Sequence, residues 1–207
     1  MRTKNSAPSA QQQLGFPGFD EPPPSPPTRP TGPAPAPAHL SLFFALQPTP
    51  EAAERLIDLA TALRSRHGLT GKLLSIERLH VTLRAMEDGD AQFALAMRAA
   101  AGLAHEGFEV SFDRALSFPG SGAFVLRSSD NLPALGAFRR RLNLAMGDTE
   151  AQAARSATPH LTLLYDRKLS VAEHAIEPIG WRATAFALVR SHVGLSRHET
   201  LGAWPLS

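Results

Sequence analysis

The chain contains no cysteine. That absence excludes disulfides, zinc–thiolate centres and a cysteine nucleophile, so any metal would rest on His, Asp and Glu alone. No apolar run approaches the roughly 18 residues that a membrane-spanning helix needs. Arg2 and Lys4 are followed by polar residues and not by an apolar stretch, so a secretory signal is not expected and a cytoplasmic location is. A large excess of either charge is also lacking, with 21 Lys and Arg against 19 Asp and Glu. A formal net charge of +2 is too small to indicate nucleic-acid binding by itself, so evidence for such a partner must come from a site.

Proline is abundant but unevenly placed. Of 18 prolines, 11 fall within residues 1–38, among Gln11 to Gln13 and scattered Ser, Thr and Ala. Proline has no backbone N–H to donate and a fixed φ, and such a segment has too little apolar surface to offset the entropy of ordering. Residues 1–38 are therefore expected to form a disordered tail with polyproline character from Pro22 to Pro37. Within it, Leu14-Gly15-Phe16-Pro17-Gly18-Phe19 is a candidate docking motif for a protein partner, set against the plainer reading of incidental aromatics.

Residues 39–207 read as one folded body. Leu40 to Leu46 is a buried strand stopped by Pro48 and Pro50. A helix over 51–67 follows, with Leu56, Leu59, Ala60 and Leu63 on one face and Gly68 as its stop. The pattern then predicts a strand over 79–86, a helix over 90–105, strands over 108–118 and 123–127, a helix over 132–146, and strands over 160–165, 182–193 and 201–206. The order β-α-β-α-β-β-α-β-β-β mixes hairpins with helical connections, which indicates an α+β fold with largely antiparallel sheets. The halves are alike: a strand, a helix, then a strand bearing one motif.

That motif is His80-Val81-Thr82-Leu83 in the first half and His160-Leu161-Thr162-Leu163 in the second. Alternate residues of a strand share a face. Each copy therefore presents an imidazole and a hydroxyl side by side and buries the two apolar residues. A lone histidine of this kind is more often structural than catalytic, but two matched copies on predicted strands reverse that balance. Displacement at phosphorus needs a base on the attacking side and an acid on the leaving side. Histidine, with an unperturbed pKa of about 6.5, serves as either near neutrality. The threonine hydroxyls suit the non-bridging oxygens.

These segments, with the opening Leu42-Phe43-Phe44-Ala45 strand and Pro159-His160-Leu161-Thr162-Leu163-Leu164, resemble the 2H phosphoesterase superfamily. Within it they are most similar to the bacterial RNA 2′,3′-cyclic phosphodiesterases, also called 2′-5′ RNA ligases. The resemblance covers about residues 40–206. It implies a bilobal fold of two mostly antiparallel sheets with helices outside, related by a pseudo-two-fold, with the active-site cleft between the lobes. It further implies metal-independent hydrolysis of 2′,3′-cyclic phosphate ends of RNA or small nucleotides to 2′-phosphates. His80 would be the acid, His160 the base, and Thr82 and Thr162 the phosphate holders, with acid and base open to exchange. No cofactor and no metal are expected, and a monomer is. The sequence departs from the family at Arg84-Ala85-Met86-Glu87, where an aromatic, a leucine and a glycine are common, and at Tyr165, where many members have arginine. Ligation or 2′-5′ cleavage at the same site, and a non-catalytic RNA- or nucleotide-binding module, are the alternatives.

Arg84 follows Thr82 by the same period of two and is a candidate phosphate contact. Phe43 or Phe44, and Tyr165, are candidate base-stacking residues. Arg139-Arg140-Arg141 reads as a solvated helix face. His39, His67, His105 and His174 read as surface histidines, and His192 and His198 lack a metal-ligand spacing.

Overall fold

The computed structural model describes residues 40–155, 158–192, 194–195 and 197–206, so residues 1–39, including the proline-rich segment and His39, lie outside the described residues. The strands are β1 (Leu40–Leu46), β2 (Val81–Glu87), β3 (Phe108–Ser117), β4 (Ala123–Arg127), β5 (His160–Tyr165), β6 (His174–Ala183), β7 (Ala185–His192) and β8 (Arg197–Pro205). The helices are α1 (Pro50–Arg66), α2 (Asp90–Ala101), α3 (Pro133–Ala145) and α4 (Glu150–Ala153), and a short 3₁₀ turn spans Ile76–Arg78. The α+β class follows as expected. Among the described residues no helix is long and apolar enough to cross a membrane.

All eight strands join one antiparallel sheet in the order β6-β3-β4-β5-β2-β1-β7-β8, where two sheets were expected. The join is narrow: β2 and β5 meet through the single register pair Val81↔Leu161. On either side stand four strands, each set headed by a motif strand. β1 with β2 and β4 with β5 repeat one another, since Leu46↔Val81, Ala45↔Thr82 and Phe44↔Arg84 reappear as Leu126↔Leu161, Val125↔Thr162 and Phe124↔Leu164, every number raised by 80.

Leu42, Phe44 and Leu46 of β1 enter the main core with Leu56, Ala60 and Leu63 of α1 and Leu135, Phe138 and Leu142 of α3. By alternation Phe43 and Ala45 point to the opposite face, where they form a small cluster with Ala187 and Val189. The sheet thus has a helix-covered face and an open face.

Two expectations need correction. The segment 182–193 is not one strand: β6 begins at His174, the chain turns at Thr184, and β7 ends at His192. Pro178 and Gly180 hide β6 in the sequence. It is an edge strand, and the register shift opposite Phe112/Arg114 places Pro178 where no ladder N–H is required. The helix expected over 90–105 ends at Ala101, capped by Gly102, and α4 is too short to show a period.

The segment between α1 and β2 is tied to the end of β5. Asp166 Oδ2 accepts from Thr70 N (2.6 Å), Thr70 Oγ1 (3.1 Å) and Gly71 N (3.1 Å), and its Oδ1 accepts from Lys168 N (2.8 Å) and Leu169 N (3.1 Å). The Thr70 and Lys168 amides hold this carboxyl well below the usual carboxylate range. A depressed carboxylate stabilises the fold above its unfolded pKa, about 3.9, and loses that contribution as pH falls through its folded value. Asp166→Asn is expected to lower Tm by several degrees at pH 7. The gap from wild type should close as melting is repeated at progressively lower pH through the carboxylate range.

Candidate active site

His80 sits between the 3₁₀ turn and β2, and His160 opens β5. Val81 pairs with Leu161 in an antiparallel register, so the positions flanking that one bridge are His80 beside Thr162 and Thr82 beside His160. Val81 and Leu161 are fully buried on the helix face, so the two histidines and two threonines share the open face. A single bridge therefore brings two sequence-distant motifs into one constellation.

The two imidazoles are held alike. His80 Nδ1–H donates to the Arg78 carbonyl (2.7 Å) and His160 Nδ1–H to the Thr158 carbonyl (2.9 Å), each two residues back. A carbonyl only accepts, so each ring carries its proton on Nδ1 when neutral and leaves Nε2 for chemistry. The surroundings differ. His80 lies against Phe43 (ring centroids 4.7 Å) and meets His198 edge-on (5.4 Å), while His160 meets the edge of Phe118 (4.8 Å). Burial pushes His80 below the ordinary imidazole value, opposed by its bond to the Arg78 carbonyl and reinforced by the charges of Arg78 and His160. His198 is pushed down to about 4, chiefly by burial and then by His80 and Arg78. The threonine hydroxyls have no hydrogen-bond partner among the described residues, and no group of three potential ligands capable of holding a metal occurs among them.

A family model described as the 2'-5' RNA ligase superfamily matches residues 60–195, about two-thirds of the sequence. The chain belongs to the 2'-5' RNA ligase superfamily. This bears out the 2H phosphoesterase resemblance. Among solved structures it is similar to Escherichia coli LigT complexed with phosphate, at 26% identity and TM-score 0.62, covering 82% of this chain and 99% of that one. A structure described as a phosphoesterase matches at 25% identity and TM-score 0.63 with the same coverage. TT0787 of Thermus thermophilus shares the fold at 18% identity and TM-score 0.61, covering 80% of this chain and 97% of that one. No curated protein matches the chain.

In this member of the superfamily each motif strand carries a bulge at its fourth motif residue. Ala45↔Thr82 is followed by Phe44↔Arg84, leaving Leu83 extra, and Val125↔Thr162 by Phe124↔Leu164, leaving Leu163 extra. An extra residue reverses the alternation beyond it. Arg84 therefore does not share a face with His80 and Thr82, as the period of two suggested. It stands opposite the core residue Phe44, and on the helix side its Nη1 donates to Asp148 Oδ2 (2.6 Å) and Asn143 Oδ1 (3.1 Å) and its Nη2 to Asp148 Oδ1 (3.0 Å). Tyr165, one past the second bulge pair, returns to the open face and is 53% exposed. Phe43 is on the open face but nearly buried, a support for the His80 ring and not a free platform for a base.

Three residues near the motifs were not foreseen. His198 reaches Phe43 (5.2 Å) and His80 from β8; a lone histidine on an outer strand carries no sequence signal of that approach. Arg78 precedes the first motif and supplies both a carbonyl and a charge. Arg127, the register partner of His160, lies with its Nε 3.2 Å from Glu173 Oε2. Arg139, read as solvated, is buried, with its Nε donating to the Leu83 carbonyl (3.0 Å). His67 and His174 meet with their Nε2 atoms 3.3 Å apart, remote in sequence but not isolated surface residues.

If Arg84 is structural, Arg84→Ala should lower unfolding free energy by about 1–3 kcal/mol, since it strips charged hydrogen bonds from Asp148. Inorganic phosphate, titrated calorimetrically, should bind the variant as tightly as wild type. A large loss of phosphate affinity without loss of stability would return Arg84 to the site.

Proposed function

We propose that the protein is a metal-independent phosphodiesterase that opens 2′,3′-cyclic phosphate ends of RNA or nucleotides to 2′-phosphates. The observation that carries this reading is the matched pair of imidazoles, each fixed through Nδ1 and with no partner at Nε2 among the described residues, across one strand bridge. Two such rings suit in-line displacement: one takes a proton from water as its oxygen bonds to phosphorus, and the other gives a proton to O3′ as the P–O3′ bond breaks. The products are a 2′-phosphate and a 3′-hydroxyl. Thr82 and Thr162, each beside the other motif's histidine, suit the non-bridging oxygens where charge accumulates. The superfamily's description and the LigT likeness support phosphodiester chemistry of the 2′-5′ type. The same site run in reverse joins ends, by microscopic reversibility.

The family resemblance makes His80 the acid and His160 the base. A second assignment, with His80 as base, is favoured by its burial, which disfavours the imidazolium in the free protein. An anionic phosphate beside it would offset that burial and raise its pKa, restoring the acid role in the complex.

With EDTA present, an oligoribonucleotide ending in a 2′,3′-cyclic phosphate should be converted to the 2′-phosphate. His80→Ala and His160→Ala should each lose about 10²–10⁴ in kcat. Retained turnover in either variant would remove that histidine from the mechanism. An aryl phosphodiester, whose leaving group needs no proton, separates the roles: the variant lacking the acid should recover, the variant lacking the base should not.

The imidazole titration offers a second check. In the free protein NMR should place the His80 pKa below about 6.5, moving up when inorganic phosphate is added. A His80 that titrates at or above that value without phosphate would contradict the desolvation seen here.

A further inference from the structure

A cavity of about 380 Å³ is lined by Lys72, Leu73, Leu74, Ser75, Arg78 and Tyr165; Arg78, whose carbonyl holds the His80 ring, links it to the site. Its lining holds two cations, an exposed phenol and no carboxylate. The Nε of Arg78 is buried and has no hydrogen-bond partner among the described residues. The cavity is built on fixed backbone. Leu73 bridges Leu164, and Leu74 N–H donates to the Leu163 carbonyl (2.8 Å), so one wall is an extension of the second motif strand. A Cβ at Gly71 would lie 2.1 Å from the Tyr165 carbonyl oxygen, so the loop can approach Tyr165 this closely only with glycine there.

We infer that this cavity is a subsite for the nucleotide unit adjoining the reacting phosphate in an RNA chain, with Tyr165 stacking its base and Lys72 and Arg78 holding its phosphate. The inference rests on the phosphodiester reading of the His80–His160 pair and narrows its substrate to oligonucleotide ends. A cyclic mononucleotide carries one anion, which the histidines and threonines already accommodate, and it leaves Lys72 unmatched. A chain brings a second phosphate for the cations and a further base for the ring, and base–aromatic stacking tolerates any sequence.

The test compares kcat/KM for a short oligoribonucleotide ending in a 2′,3′-cyclic phosphate with that for a 2′,3′-cyclic mononucleotide. Wild type should prefer the oligonucleotide by about tenfold or more, a span that one stacked base can supply. Tyr165→Ala and Lys72→Ala should each shrink that preference several-fold through KM, Tyr165→Phe should keep it, and Lys72→Ala should flatten the salt dependence. Equal kcat/KM for the two substrates in wild type, or variants that lower both alike, overturns the subsite. If wild type turns over neither substrate, the phosphodiester reading itself fails. Fluorescence anisotropy with the same oligonucleotide ending in a 3′-phosphate then decides the subsite separately: weaker binding by both variants upholds it, and unchanged binding overturns it.

Discussion

The arrangement of the site depends on one backbone pairing, Val81 with Leu161. Side chains alternate along a strand, so a slip of one residue here would turn one histidine and its threonine to the helix face and bring a valine or leucine out in their place. The register is protected from both sides of the sheet. Val81 and Leu161 are fully buried beneath the helices, so any slip exposes apolar surface and buries an imidazole. Each motif strand is also anchored to a long-paired neighbour, β2 to β1 and β5 to β4. A join of one pair suffices because each strand's register is set by its own half.

The bulges at Leu83 and Leu163 are the second constraint. Each lets the two residues after the threonine, Leu83 with Arg84 and Leu163 with Leu164, turn toward the helix face. A bulge frees a carbonyl from the ladder, and a buried carbonyl needs a donor. The two halves satisfy that need differently. Arg139 of α3 donates to the Leu83 carbonyl through its side chain, whereas the Leu163 carbonyl takes the backbone N–H of Leu74. The first solution buries an arginine from a run that looks solvated. The second pulls the 70–75 loop onto β5 and walls off the cavity next to Tyr165. An identical local irregularity, capped in two ways, makes a symmetric pair of motifs into an asymmetric site.

This difference explains which parts were readable from sequence. β4, β5 and the paired motifs follow from alternation and local punctuation, and β1 and α1 from an apolar run and a proline-led helix, and these came out within a residue or so. What failed depended on contacts far apart in the chain. The bulge that turns Arg84 away is invisible in the residues 79–86 themselves; only the repeat of the same shift 80 residues later shows it as a property of the motif. β6 contains the residues that ordinarily argue against a strand and is tolerated because it is an edge. His198 reaches His80 from β8, three strands away in the sheet order, an approach no local pattern carries.

The asymmetry between the imidazoles has a chemical consequence. Two identical histidines would compete for one proton, and neither would be committed as acid or base. Here one ring is enclosed by Phe43 and His198 and placed near the positive charge of Arg78, while the other stands at the edge of Phe118. Desolvation and like charge both disfavour the imidazolium of His80. The His80 imidazolium is thus disfavoured in a frame whose backbone holds the two rings alike. In the proposed displacement the motif duplication turns two imidazoles toward one phosphate, and the packing around one of them disfavours the His80 imidazolium. Neither suffices alone: equal rings in perfect alignment lack direction, and unequal rings without the shared bridge cannot reach the same phosphorus.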